Sequence, residues 1–500
     1  MVLDSLLLAL KISLTALVLT GSMPLLVACL QFSLIGLHRF FSHYDRVTAY
    51  LPRVAIIVPA WNEGAVIGAT VDRLMKLDYP DDALRVYVVD DASTDQTPDV
   101  LKAKEKEYPG RVFHIRREKG GEGKAHTLNY GIKQLLAEAW TEALLIIDAD
   151  VLFEDDSLRK MARHLSDPKV GAVTAYIKEG SIPGNYMTKF IAFEYITAQA
   201  ASRRAQNVMG TMACLAGGAQ LHSRASLLDI GGRIDTSSLA EDTFTTFKTQ
   251  IKGRRAIFEG NARVWAEEPD GILGLWKQRL RWARGNVQVT IQFKRLWFNR
   301  KEYGALGSPL FALNWFAIFL MPLFMIGASV GLLALYFIDF PLSWRMFNAL
   351  WILNALTFLL VTLFSFLIDP EVAKRCWFQG VMFPGVISLL ILLYTCYPPL
   401  YTVHLTHWLA GHGIVIGNAV MQPLIVFLYA WLSLCMLFAY FAKVVEKKGS
   451  WGKWLAPLLI YVSGYGALLC AVSFASYYFE LKGAEAKWDK TEKSGKVGIR

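Results

Sequence analysis

The sequence is short of charge and of organised cysteine. Only 19% of its 500 residues are charged, while 54% are hydrophobic and 13% aromatic, and the mean hydropathy is +0.33. One soluble core has no use for so much apolar surface, and the excess is gathered in a few blocks. That excludes a wholly soluble chain and implies an integral membrane protein. The six cysteines, Cys29, Cys214, Cys376, Cys396, Cys435 and Cys470, show no Cys-x-x-Cys spacing and mostly fall in or beside apolar segments. They read as reduced, structural residues, and a metal site built from thiolates is excluded. Internal repeats, low-complexity tracts and any nucleic-acid module are missing as well. The net charge of +10 clusters beside the hydrophobic blocks, so its expected partner is anionic membrane lipid and not nucleic acid.

What the chain does have is residues 144–150, Leu-Leu-Ile-Ile-Asp-Ala-Asp. Four apolar residues ending in two carboxylates describe a buried parallel strand emerging at the carboxyl edge of a sheet, where open α/β sheets bind ligands. On extended backbone, side chains at i and i+2 point the same way, so Asp148 and Asp150 can face one divalent cation or the phosphates it carries. An isolated Asp-x-Asp is more often a solvated turn or a helix cap; its weight here comes from its neighbours. From about residue 53 to 300, short apolar strands (54–58, 86–89, 112–115 and 144–147) alternate with helical stretches (65–77, 97–108 and 124–139). This pattern predicts βαβ units in one doubly wound parallel sheet.

Pro59-Ala60-Trp61-Asn62-Glu63, Val88-Val89-Asp90-Asp91-Ala92-Ser93-Thr94-Asp95, Gly123-Lys124-Ala125 and Leu128-Asn129, followed by the Asp-Ala-Asp, occur in that order. Together they resemble the nucleotide-sugar half of family 2 glycosyltransferases. The resemblance implies an α/β glycosyltransferase A-type domain in which Glu63, Asp91 and Lys124 bind the nucleotide. Asp150, helped by Asp148, would hold Mg²⁺ or Mn²⁺ on the diphosphate of a UDP-sugar. Asp90 to Asp95 also suit a capped turn before the helix near residue 97, and a cap and a ligand site often share a loop.

Ser238-Leu239-Ala240-Glu241-Asp242 resembles the Thr-Glu-Asp of processive synthases, with Ala240 in place of Thr. An inverting transfer needs a base at the acceptor hydroxyl, and Asp242, with Glu241 beside it, is the candidate. Gln278-Arg279-Leu280-Arg281-Trp282 has the Gln-x-x-Arg-Trp form of membrane synthases of cellulose, chitin, hyaluronan and poly-N-acetylglucosamine. On the helix that its periodicity predicts, Gln278, Arg281 and Trp282 fall at i, i+3 and i+4. Gln278 and Arg281 are then expected at the diphosphate, and Trp282 under an acceptor sugar. Gly218, in Gly217-Gly218-Ala219, sits where relatives have a loop touching the acceptor. Amphipathic interface helices are expected near residues 186–207 and 271–300.

Residues 12–37 form an apolar run long enough to span a bilayer and read as an uncleaved anchor. Arg39, Arg46 and Arg53 follow it, which puts the next domain in the cytosol. The expected layout is an anchor at 1–41, a catalytic domain at 42–308, transmembrane helices at 309–480 and a basic tail at 481–500. Five apolar blocks lie near 309–338, 346–368, 378–402, 418–442 and 454–479. Five spans would leave the tail outside. Yet Trp488, Thr491 and Lys493 resemble the aromatic-x-x-Thr-x-Lys-x-Gly gating loop that lies over the nucleotide in cellulose and mannan synthases; a working loop of that kind implies that one block is re-entrant or interfacial, and the alternative is a disordered basic tail.

The expected function is an inverting, inner-membrane polysaccharide synthase using UDP-glucose or UDP-N-acetylglucosamine, with a growing glycan as acceptor and an export partner in the periplasm or outer membrane. Ceramide-type glucosyltransferases also carry Gln-x-x-Arg-Trp, so transfer of a single sugar to a membrane lipid is the alternative. An inactive partner subunit of an export complex is a further one, disfavoured by the intact carboxylates.

Overall fold

A computed structural model describes residues 2–41, 43–413, 417–485 and 495–499. Trp488, Thr491 and Lys493 lie outside the described residues. The chain divides into two compact units. One holds residues 1–32 and 313–479, the other 33–312 and 480–500.

The second unit is built on one eight-stranded sheet. Its strands are β1 (Val54–Ala60), β2 (Leu84–Asp90), β3 (Val112–Arg116), β4 (Ala143–Ile147), β5 (Val151–Phe153), β6 (Val170–Glu179), β7 (Ala219–Ser223) and β8 (Arg255–Ala266), in the order β3-β2-β1-β4-β7-β6-β8-β5. The four expected strands are β1 to β4, and they pair in parallel with helices Ile67–Met75, Thr97–Glu107 and Lys124–Ala137 between them. The remainder departs from an all-parallel sheet. β7 runs antiparallel to both β4 and β6, β8 is parallel to β6, and β5 is antiparallel to β8. The physical reason is burial on both faces. All ten residues of β6 are buried, so hydrophobic periodicity carries no sign of strand direction.

Helix Lys124–Ala137 is the element that sets the site. Leu128, Ile132 and Leu135, spaced i, i+4 and i+7, pack with Ala55, Ile57, Tyr87, Val89, Leu144 and Ile146 of the sheet. A Cβ on Gly131 would come within 2.6 Å of Ile57 Cδ1 and 2.7 Å of Val89 Cγ2, so the helix seats closely on β1 and β2. Residues just after the first apolar stretch are held by a buried chain. His43 Nε2 pairs with Asp167 Oδ2 (3.0 Å), His43 Nδ1 with His164 Nδ1 (2.9 Å), and His164 Nε2 with Glu259 Oε2 (2.8 Å). One proton between the two Nδ1 atoms makes one ring the donor and the other the acceptor.

The amino-terminal apolar stretch carries two helices with a turn between them. Helices Val2–Thr20 and Met23–Phe41 are separated by a turn at Gly21 and Ser22. Val2–Phe41, Met321–Ile338, Phe340–Ile368 and Val420–Glu446 are each long and apolar enough to cross a membrane. Of the five expected carboxyl-terminal blocks, two are sharply bent helix pairs. Pro370–Val381 meets Val386–Cys396 at 83°, and Gly449–Ser463 meets Tyr465–Leu481 at 96°. Small residues allow close helix contact here, as in membrane interiors generally. A Cβ on Gly331 would lie 2.7 Å from Val18 Cγ2, and one on Gly327 would lie 2.9 Å from Leu17 Cδ1. Lys11 pairs with Asp339 at 2.7 Å.

Described parts of the tail belong with the sheet. Val497 bridges to Ser181, Ile182 N donates to Lys496 O (2.7 Å), and Gly498 N donates to Gly180 O (3.0 Å).

The two bends meet each other. Gly385 (φ 84°) and Gly464 (φ 97°) lie so close that a Cβ on Gly385 would be 2.5 Å from Gly464 N, and one on Gly464 would be 2.6 Å from Pro384 O. Both need a backbone conformation and a clearance that only glycine has. Gly464→Ala is therefore expected to destabilise this unit by about 1–3 kcal/mol, read as a lower melting temperature of the detergent-solubilised protein. An unchanged melting temperature would contradict the contact.

Candidate active site

Because β1, β2, β3 and β4 are parallel, their carboxyl ends lie along one edge, and the loops after them carry the expected residues. The loop after β1 and the loop after β2 are tied together. Asn62 N donates to Ser93 Oγ (2.9 Å), Thr94 N donates to Asn62 Oδ1 (2.9 Å), and Glu63 N donates to Thr97 Oγ1 (2.9 Å). Asn62 (φ 53°) and Ala92 (φ 57°) hold left-handed backbone there, a strain that surrounding bonds must maintain. The capped turn is also present, since Asp95 accepts from Thr97 N and Thr97 Oγ1.

Asp91 is buried. Its carboxylate takes an ion pair from Arg117 and a bond from Gly121 N (3.0 Å). Arg117 also pairs with Glu122, so the loop 120–123 is fastened over Asp91. A Cβ on Gly120 would lie 2.0 Å from Asp91 O, which explains the glycine. The sequence motifs do not include Arg117. Its only signal was its position directly after β3, at the same sheet edge.

Asp148 and Asp150 do not stand on extended backbone, as the sequence led us to expect. β4 ends at Ile147, and the two aspartates occupy the turn before β5. Thr70 Oγ1 holds that turn by donating to Ala149 O (2.6 Å). Lys124, first residue of its helix, reaches Asp148 Oδ1 at 2.5 Å and Glu241 Oε1 at 3.6 Å, and donates to Gly217 O at 3.2 Å. Asp242 lies beside them, for a Cβ on Gly217 would be 3.1 Å from Asp242 Oδ2. A Cβ on Gly218 would be 3.2 Å from Asp148 Oδ2. Three distant segments thus bring one ammonium and three carboxylates to one place.

The electrostatics follow from that crowding. Burial works against the charge on Lys124, yet Asp148, Glu241 and Asp242 more than offset it and raise its pKa. Burial raises the pKa of Glu241; Lys124 opposes the shift, Asp242 reinforces it, and Arg281 opposes it more weakly. Arg281 is thereby within electrostatic reach of the cluster. Glu241 and Asp242 also begin helix Glu241–Ile251, where the helix dipole favours negative charge. Asp242 Oδ1 accepts from Thr243 N at 2.7 Å.

Helix Ile272–Gln292 carries the Gln-x-x-Arg-Trp segment. Trp282 is 38% exposed, whereas Gln278 is 7% exposed. Gln278 does not point out as expected of a diphosphate ligand. Its Nε2 donates to Glu268 Oε2 (3.1 Å), and its Oε1 accepts from Arg279 Nη1 (2.6 Å). The helix touches the start of helix Glu241–Ile251 where Gly285 meets Ala240, with 2.5 Å between a Cβ on Gly285 and Ala240 Cβ. The Ala that departs from Thr-Glu-Asp sits at this close approach. The expected interface helix near 186–207 is a helix, π-helix and helix run over Tyr186–Met209. Met187, Phe190, Ile191 and Phe193 are buried within the unit, because they pack toward β6, and so are not a lipid-facing stripe. Arg203, on the same run, and Cys214 were not read as site residues. Arg203 is buried and Cys214 half-buried, both close enough to Asp242 to feel its charge; desolvation raises the Cys214 thiol pKa and lowers that of Arg203.

A mixed sheet whose parallel half ends in loops carrying these acidic groups and a lysine is the glycosyltransferase A-type arrangement. Residues 52–285 match the family described as "Glycosyltransferase like family 2"; this part of the chain is a family 2 glycosyltransferase domain. The chain is 31% identical over 254 residues to the probable glycosyltransferase YdaM of Bacillus subtilis, covering 50% of this chain and 59% of that protein. It is 26% identical over 363 residues to the poly-β-1,6-N-acetyl-D-glucosamine synthase of Staphylococcus epidermidis, covering 70% of this chain and 80% of that one. The Staphylococcus aureus synthase is 30% identical over 246 residues, 48% of this chain and 56% of the relative. Among solved structures, the mannosyltransferase PcManGT from Pyrobaculum calidifontis in complex with GDP-Man and Mn²⁺ is similar with a TM-score of 0.48, 25% identity, and coverage of 63% and 86%.

Two outcomes follow from the cluster. Lys124→Met removes the cation that contacts Asp148 and Glu241 directly. Because the folded pKa of Glu241 is raised, folding favours its protonated form, and the cost of ionising it grows as pH climbs from the ordinary value of 4.5. The variant should therefore lose more melting temperature relative to wild type at pH 8 than at pH 5; the reverse order would refute this account. Gly285→Ala should cost about 1–3 kcal/mol by overpacking against Ala240, measured by thermal unfolding.

Proposed function

We propose that this protein is an inverting glycosyltransferase that extends a β-linked polysaccharide from a UDP-sugar and passes the product across the membrane through its own helices. UDP-N-acetylglucosamine is the leading donor, ahead of UDP-glucose. The observation that carries this reading is the convergence of Lys124, Asp148, Glu241 and Asp242 at the carboxyl end of β4. The likeness to staphylococcal poly-β-1,6-N-acetyl-D-glucosamine synthases supports both polymerisation and the donor preference.

In this mechanism Asp242 accepts the proton of the acceptor hydroxyl as that oxygen bonds to the anomeric carbon. The bond from the anomeric carbon to UDP breaks on the opposite face, inverting the centre. Arg281 and Lys124 supply positive charge beside the departing diphosphate. Glu63 and Asp91 serve the nucleotide, while Trp282 and the Gly217-Gly218 turn serve the acceptor end. Asp148 and Asp150 would hold Mg²⁺ or Mn²⁺. Their oxygen donors suit a hard cation, and the Asp148 carboxylate is already oriented to receive a positive group, the Lys124 ammonium. Among the described residues no set of three or more His, Cys, Asp or Glu is grouped to hold a metal ion. When bound, the cation neutralises charge on the leaving group. The basic residues Arg39, Arg46 and Arg53 after the first apolar stretch support a cytosolic catalytic unit at the inner membrane, with an export partner receiving the glycan on the far side.

The test is protein reconstituted in lipid with Mg²⁺ or Mn²⁺, a panel of labelled UDP-sugars and a sizing gel. A long labelled product from one donor, lost in Asp242→Asn while UDP binding persists, is the expected outcome. Retained turnover in Asp242→Asn would remove Asp242 as base. A single small lipid-soluble product would replace polymerisation with transfer to lipid.

A further inference from the structure

Behind the Gln-x-x-Arg-Trp segment lies a closed ring of buried hydrogen bonds that the proposed mechanism does not use. Arg279, 6% exposed, donates from Nε to Glu194 Oε1 (3.2 Å) and from Nη2 to Glu194 Oε2 (2.9 Å), a forked pair. Its Nη1 donates to Gln278 Oε1 (2.6 Å), Gln278 Nε2 donates to Glu268 Oε2 (3.1 Å), and the Tyr195 hydroxyl donates to Glu268 Oε1 (2.6 Å). Glu194 and Tyr195 are neighbours on one helix, so the ring closes. Glu268 is pinned in turn, its N donating to Ser181 Oγ (2.9 Å). The guanidinium carbon held by this ring lies 4.1 Å from the centroid of the Trp282 ring, while the indole remains 38% exposed.

We propose that Arg279 is a positioning residue: its guanidinium, locked by Glu194 and Gln278, fixes the Trp282 indole as a rigid platform for the acceptor sugar. The inference rests on the reading of Trp282 as an acceptor contact. A planar, delocalised cation can fork to a carboxylate and lie against an indole at once, which a lysine ammonium cannot do. The consequence for transfer is registration. A sugar stacked on a fixed ring presents its hydroxyl to Asp242 at a set distance, and small misplacements of a reacting group are costly.

The chain has 15 tryptophans, so the test uses ¹⁹F spectra of 5-fluorotryptophan-labelled full-length protein, with the Trp282 line assigned by its loss in Trp282→Leu. Arg279→Lys is expected to shift and broaden that line, and Glu194→Gln to do the same, which guards against one variant failing to fold. An unmoved line in either folded variant overturns the proposal, whatever the donor. In turnover with a short N-acetylglucosamine oligosaccharide primer, Arg279→Lys should raise the primer KM about tenfold and leave the donor KM in place. It should add nothing in a Trp282→Leu background; additive losses would show that Arg279 acts elsewhere and overturn the proposal. A moved Trp282 line with no transfer by wild type from any UDP-sugar would sustain the positioning role and defeat the polysaccharide synthase reading.

Discussion

One buried ammonium holds the candidate site together. Lys124 sits against Asp148, Glu241 and the Gly217 carbonyl, with Asp242 alongside. Without it, three carboxylates from the turn after β4 and the start of a distant helix would repel one another. Lys124 can occupy that position because its helix is driven onto the sheet by Leu128, Ile132 and Leu135. The ordinary hydrophobic core thus sets the charge geometry.

Close backbone approach is the second constraint, and it recurs wherever segments converge. Gly120 lies under the Asp91 carbonyl, Gly217 and Gly218 border Asp242 and Asp148, and Gly285 meets Ala240. Each is a place where one methyl group would have to displace a neighbour. These contacts bring the helix bearing Glu241 and Asp242 against the helix bearing Arg281 and Trp282. In the membrane-type unit, glycine does different work. Gly385 and Gly464 let two helix pairs bend and touch backbone to backbone, and both glycines are buried in that unit.

The sequence by itself determined the first four strands, their intervening helices and the apolar blocks, because each is encoded by local periodicity and by turn residues. The Asp-Ala-Asp, Glu241-Asp242 and Gln-x-x-Arg-Trp segments were legible for the same reason: each is contiguous. Tertiary structure decided what depends on partners far along the chain. It turned Gln278 inward to Glu268 and Arg279, buried Met187 and Phe190 in the catalytic unit, and brought Arg117 onto Asp91. It reversed β7, bent two apolar blocks and joined the tail to the sheet near Gly180 and Ile182. Strand direction, side-chain partners and helix bends are set by which surfaces become buried against each other, and a linear pattern holds no record of that pairing.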